Sequence, residues 1–265
     1  MILRRLAEAI RGQNWFTVLI EVAIVVVGIF IGLQVDDWNE NRKQKNIEAE
    51  ALARLHSEAV ATVDYFKQHV SYRMKAIMRA DKVFQVLFSG EPMESSEDTS
   101  DAIASLRFYP TIAPPVTEYA DLRSAGVLSK ITSRPVRQAI SEYHQRLAYI
   151  QGQLPGFKAD TDQFQLTPEE GEYRVYDPTS AVRSRIVLEI EKAFGNKAYQ
   201  SDILSEYRNF IRFTQYFLRV LQHAHEMCVA LEPFGTEKCP GIDEEWALYR
   251  QFNPERTQPA AAPRD

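Results

Sequence analysis

Residues 16–35 read FTVLIEVAIVVVGIFIGLQV, twenty positions in which Glu21 and Gln34 are the only strongly polar side chains. At about 1.5 Å per residue, a helix of this length covers about 30 Å of hydrocarbon. Trp15 and Trp38 flank it where an aromatic interface belt would lie. A cleaved secretory signal would show a shorter apolar core and a small-residue cleavage site; residues 33–38 read LQVDDW instead. The stretch therefore reads as an uncleaved membrane helix over residues 15–38, with the lipid bilayer as its first partner.

No Gly or Pro occurs between Leu33 and Ser89, so the membrane helix is expected to run on without a coded stop. Leu52, Ala59, Val63, Phe66, Val70, Ile77, Ala80, Phe84 and Leu87 then recur at helical spacing, with His56 and Arg73 in two of the stripe positions. This rhythm belongs to the buried face of a bundle or coiled coil. Gly90 and Pro92 are the expected end, followed by an acidic loop over residues 94–100.

Further helices are expected over residues 101–108, 117–125, 133–154, 157–166, 179–194 and 198–231. The one after Ser133 carries the stripe Val136, Ile140, Tyr143, Leu147, Ile150 and Leu154 and stops at Pro155-Gly156. Thr117 is the expected N-cap of residues 117–125 and Gly126 their left-handed close. The tract Tyr109-Pro110-Thr111-Ile112-Ala113-Pro114-Pro115 reads as a rigid connector. Val182, Ile186 and Ile190 define the helix of residues 179–194. The last helix has the cleanest period: Ile203, Tyr207, Phe210, Thr214, Phe217, Leu221, Ala224, Cys228 and Leu231. No segment alternates convincingly with strand period. The fold class is all-α: an N-terminal transmembrane helix continuing into a long helix of an antiparallel helical bundle. Residues 1–14 form a short cytoplasmic tail, 39–252 the bundle domain and 253–265 a disordered, Pro- and Ala-rich tail.

Composition agrees. The chain is 45% apolar and 25% charged, with 31 Lys+Arg against 36 Asp+Glu. A net charge of -5 without long basic blocks excludes nucleic acid as the main partner. Arg4, Arg5 and Arg11 before the span nearly balance Arg42, Lys43 and Lys45 after it, and the N-terminal amine tips the balance toward an N-terminus inside. Cys228 and Cys239 are the only cysteines; in an oxidising compartment they can form one bridge, the alternative being two free or buried thiols. These features place the N-terminus inside and the bundle on the far, oxidising side of the membrane.

The anchor and its exit, E-V-A-I-V-V-V-G-I-F-I-G-L-Q-V-D-D-W-N-E-N-R (residues 21–42), resemble the N-terminal signature of an uncharacterised family of bacterial single-pass membrane proteins, a domain of unknown function. Glu21, Gly28, Ile29, Leu33, Gln34, Trp38, Asn39, Glu40 and Arg42 carry the match. Tyr119, Leu122, Ser124, Gly126, Leu128, Ile131, Val136, Arg137, Ala139, Ile140 and Tyr143 are similar to that family's central motif. Asp36 and Asp37 stand where neutral amides are common in it. The resemblance implies a helical domain on one membrane helix and supplies no catalytic residue.

Glu21 lies inside the span, where a carboxylate costs several kcal/mol unless it is protonated, paired or hydrated. With Gln34 and the small-xxx-small pair Gly28 and Gly32, it defines a face for homo-oligomer assembly or for an unidentified membrane partner. In a bundle core Arg73 would require a carboxylate partner and would mark, with His56, a polar pocket or subunit contact; the preferred reading places both at an edge, with snorkelling side chains. His223, His225, Glu226 and Cys228 invite a metal reading, but His223 points away and Cys228 falls on the apolar stripe, so no metal site is assigned. H-E-x-x-H, G-x-S-x-G, P-loop, C-x-x-C and G-x-G-x-x-G motifs are all missing. The expectation is a non-enzymatic oligomeric scaffold or accessory subunit of a membrane complex, without cofactors. The alternative is a small-molecule sensor that signals through a membrane partner.

Overall fold

A computed structural model describes residues 15–89, 96–162, 171–180 and 183–252. The expected 1–14 tail, the Gly90–Pro92 stop and the 253–265 tail lie outside these residues. The chain divides into two compact units, Met1–Ala51 and Leu52–Asp265. Helix α1, Trp15–Ser89, contributes residues to both.

In the first unit α1 carries apolar side chains that no other described residue covers. Leu19, Ile24, Val27, Phe30, Leu33 and Val35 are all exposed, pointing to every side of the helix. It is the one helix among the described residues long and apolar enough to cross a membrane. Past Val35 the surface becomes polar, with Gln44 Nε2 donating to Glu40 Oε1 at 3.0 Å and Arg42 over the Trp38 ring.

The second unit is an all-α bundle with one small hairpin. Its helices after α1 are α2 (Glu97–Ala104), α3 (Thr117–Ser124), α4 (Arg134–Asp162), α5 (Ile190–Gly195), α6 (Lys197–Leu231) and α7 (Asp243–Phe252). The expected stripes are the core: every apolar stripe residue of α1 except Leu87 is buried, as are all six of α4. On α6 only Tyr207 is less than fully buried. Large rings join the long helices, Phe66 of α1 meeting Phe217 of α6 and Tyr143 of α4, while Phe84 meets Tyr207 at 4.9 Å. Each fully buried ring of this kind contributes on the order of 2 kcal/mol.

Several expected boundaries are corrected. The acidic loop of residues 94–100 is in its described part a helix start: Ser96 accepts from Thr99 N at 3.1 Å and caps α2. Helix α4 runs through Pro155 to Asp162. Proline there removes one backbone donor, but Phe157 in the next turn packs on Tyr109 and Phe213, which holds the turn helical. Thr117 does not cap α3. Val116 stands at the cap without a side-chain bond, and Glu58 of α1 accepts instead from the N–H groups of Glu118 and Tyr119 at 2.6 and 3.1 Å. A carboxylate from a distant turn thus satisfies the donors that a local cap would take. Gly126 does close α3 in the left-handed region, at φ +70°.

The expected helix over residues 179–194 is not formed. Strands β1 (Glu172–Tyr176) and β2 (Ser184–Leu188) pair antiparallel, with Arg174 opposite Ile186, and the short α5 follows. A spacing of four between Val182, Ile186 and Ile190 fits strand period as well as helix period, and Ile186, Leu188 and Ile190 are buried in alternation. Gly171 begins the hairpin at φ +84°; a Cβ there would meet Ala193 N and Glu189 O at 3.0 Å.

The proline tract forms a connector along α1. Tyr65 Oη donates to Thr111 O at 3.4 Å and accepts from Ala113 N at 3.0 Å, and Gln151 donates to Ile112 O. Helix α7 was not anticipated; Lys67 reaches its Glu245 at 3.9 Å.

Candidate functional site

The residues expected to act within a membrane lie on the surface of α1. Glu21, Gly28, Gly32, Gln34 and Trp38 are exposed, and a Cβ added to either glycine meets nothing within 4 Å. The Trp15 side chain lies outside the described set. The face formed by Gly28 and Gly32 is therefore open to close approach by another helix backbone.

His56 and Arg73 are both 1% exposed, which overturns their edge placement. Among the described residues Arg73 also lacks the carboxylate expected of a core arginine. Its Nε donates to Thr214 Oγ1 at 3.0 Å, and its terminal nitrogens donate to Phe108 O and Phe210 O at 3.2 and 3.4 Å. Its guanidinium carbon lies 3.9 Å from the Phe210 ring centre and 4.8 Å from that of Phe213. Aromatic faces and carbonyl oxygens carry partial negative charge and replace the counterion. Burial nevertheless lowers the Arg73 pKa to about 9. Sequence spacing misses this arrangement because its acceptors include backbone oxygens, which every residue carries.

A second buried cation, Arg107, was not anticipated. Its Nε donates to both Glu206 oxygens at 2.8 and 2.6 Å, and a terminal nitrogen donates to Glu172 Oε1. Tyr199 Oη donates to the other Glu172 oxygen at 2.8 Å. Burial raises the Glu206 carboxyl to about 7 against the pull of Arg107. This cluster ties the turn after α2, strand β1 and helix α6 together.

Cys228 and Cys239 are joined in a disulfide. His56 packs against it, Nε2 lying 3.7 Å from Cys239 Sγ. Of the residues weighed for metal, His223 and Glu226 come near Glu142 rather than Cys228, their ligand atoms within 4.8 Å of one another.

A concavity of about 870 Å³ lies between α3 and α4. Tyr119, Arg123 and Ser124 line one wall, and Ser141, His144, Gln145 and Gln151 the other. The His144 ring stacks on Tyr119, with centroids 3.3 Å apart. Burial, with Arg123 nearby, lowers the His144 pKa to about 4, so the ring is neutral at pH 7. One cation, stacked rings and side-chain amides suit a planar ligand bearing a carboxylate. Tyr119 and Ser124 belong to the family-like motif; His144 carried no signal of its own.

Compared with known proteins, the chain matches no family model, no curated protein and no solved structure.

Proposed function

We propose that this chain is a single-pass bacterial inner-membrane protein whose helical domain stands in the periplasm as an oligomeric scaffold or accessory subunit of a membrane complex. The observation that carries this is the apolar surface of residues 19–35, exposed on every side of α1. In water such a surface would cost about 25 cal/mol per Å², and lipid removes that cost. The disulfide supports an oxidising compartment for the second unit. The resemblance of residues 21–42 to the single-pass family supports the same reading.

The Gly28–Gly32 face is the proposed seam between copies. Two paired helices would bring two Glu21 side chains into one low-dielectric region, where each needs a polar partner. The test is topology: cells expressing single-cysteine variants at exposed domain positions, labelled with a membrane-impermeant maleimide. Labelling in intact cells is expected; labelling only after lysis places the domain inside and defeats the reading. Replacing Gly28 and Gly32 by Ile should then weaken association in a membrane two-hybrid measurement.

The groove between α3 and α4 favours a second reading, a sensor that takes a small carboxylate there and acts through a membrane partner. Arg123→Gln would abolish ligand-induced thermal stabilisation if that reading holds.

A further inference from the structure

The imidazole of His56 and the two cysteines form a cluster that core packing does not explain. His56 occupies a stripe position of α1 where the neighbouring Leu52, Leu55 and Ala59 are apolar and buried. A leucine would fill such a position without burying two ring nitrogens. Instead Nε2 faces Cys239 Sγ at 3.7 Å, a weak contact for a buried nitrogen. The other nitrogen faces the turn at Gly235, where an added Cβ would lie 1.9 Å from Nδ1. The chain thus passes directly over the ring, a path that only a glycine allows, and fixes Nε2 toward the sulfurs.

From this geometry we infer that reduction of the Cys228–Cys239 disulfide creates a three-ligand zinc site from His56 Nε2, Cys228 Sγ and Cys239 Sγ. The three ligand atoms lie within 4.8 Å of one another. In a tetrahedral zinc site, bonds of about 2.0 Å to nitrogen and 2.3 Å to sulfur put nitrogen and sulfur roughly 3.5 Å apart and the two sulfurs roughly 3.8 Å apart. The His56–Cys239 separation already has about this value, so the main rearrangement is the parting of the two sulfurs. Cys228 is held in α6, whereas Cys239 lies in the irregular, half-buried segment before α7 and is the side that moves. A bond from Cys239 N to Glu232 Oε1 at 3.0 Å keeps that segment near the site.

The chemistry balances with an external dithiol as reductant. The dithiol gives two electrons and two protons to the disulfide and leaves as its own cyclic disulfide, producing two cysteine thiols. Zinc then binds both sulfurs and the imidazole and displaces two protons to solvent, with water in the fourth position. A small-molecule disulfide reverses the step: it takes the two electrons from the thiolates and two protons from solvent, leaves as its dithiol and frees the ion, so metal occupancy reports the redox state. This inference does not depend on the membrane reading.

The full chain in detergent, reduced with a phosphine and freed of it without oxygen, is titrated with zinc against a chromophoric chelator. One equivalent should bind to the reduced chain about 100-fold or more tightly than to the oxidised chain, with two protons released. His56→Gln and Cys239→Ser should each lose that binding. Two measurements need no variant: cobalt should give a thiolate charge-transfer band with the reduced chain only, and zinc should protect both thiols from alkylation. Equal zinc binding by both redox states, or two thiols alkylated at the same rate with and without zinc, would overturn the site.

Discussion

Arg73 and Arg107 are both buried cations of the same unit, yet their surroundings solve opposite problems. Arg107 meets two carboxylates brought from 65 and 99 residues away, and these outweigh the burial that disfavours its charge, so its pKa is raised. Among the described residues Arg73 meets no carboxylate; a hydroxyl, two carbonyls and the aromatic rings of Phe210 and Phe213 hold it, and burial lowers its pKa to about 9. The difference teaches where a buried charge is costly to remove. Deleting Arg107 strands two anions, whereas deleting Arg73 leaves only neutral acceptors, one of which already accepts from Thr214.

The largest effect is therefore expected for Arg107→Met at pH 8, a loss of about 3–5 kcal/mol from the unpaired Glu206 and Glu172. The denaturant midpoint measures it. Arg73→Met should cost less, about 1–3 kcal/mol, because losing its hydrogen bonds is offset by no longer burying a charge. A larger loss at Arg73 than at Arg107 would break the comparison.

Acidity sharpens it further. Folding raises the Glu206 carboxyl from 4.5 to about 7, so the folded state keeps a proton that the unfolded chain releases. Stability from this group is present below about pH 4.5 and declines as pH rises toward 7. Glu206→Gln should flatten that decline in a stability profile measured over this window.

The smallest effect belongs to the groove. The folded-state pKa of His144 is lowered from 6.5 to about 4, so its contribution is present above pH 6.5 and is lost as pH falls toward 4. His144→Phe keeps a ring against Tyr119 and should remove this acid limb while leaving the Glu206 slope in place. If the acid limb persists, the loss arises elsewhere.

The long helices were legible because their apolar residues recur at helical period, and burial follows that period at every apolar stripe residue of α1, α4 and α6 but Leu87 and Tyr207. Ser96 and the hairpin were not. Ser96 was masked by an acidic run, and a four-residue spacing served helix and strand equally. Pro155 failed as a stop because Phe157 gains more from the aromatic cluster than the helix loses at one donor. Of the site residues, His56 and Arg73 were visible as breaks in a stripe, but their environment was not. Arg107, Glu172 and Glu206 gave no signal, since charged residues of this kind usually face solvent.

Sequence by itself determined the three long helices and which of them is long and apolar enough for a membrane, because both follow from local period and length. It also supplied the two cysteines as the only bridge to be made. Tertiary structure alone decided that Glu58 caps α3, that Arg73 is held by rings and carbonyls, and that the His56 ring lies between Gly235 and the disulfide. Those contacts join residues far apart in the chain, and their energies depend on distance and burial, which no local pattern encodes.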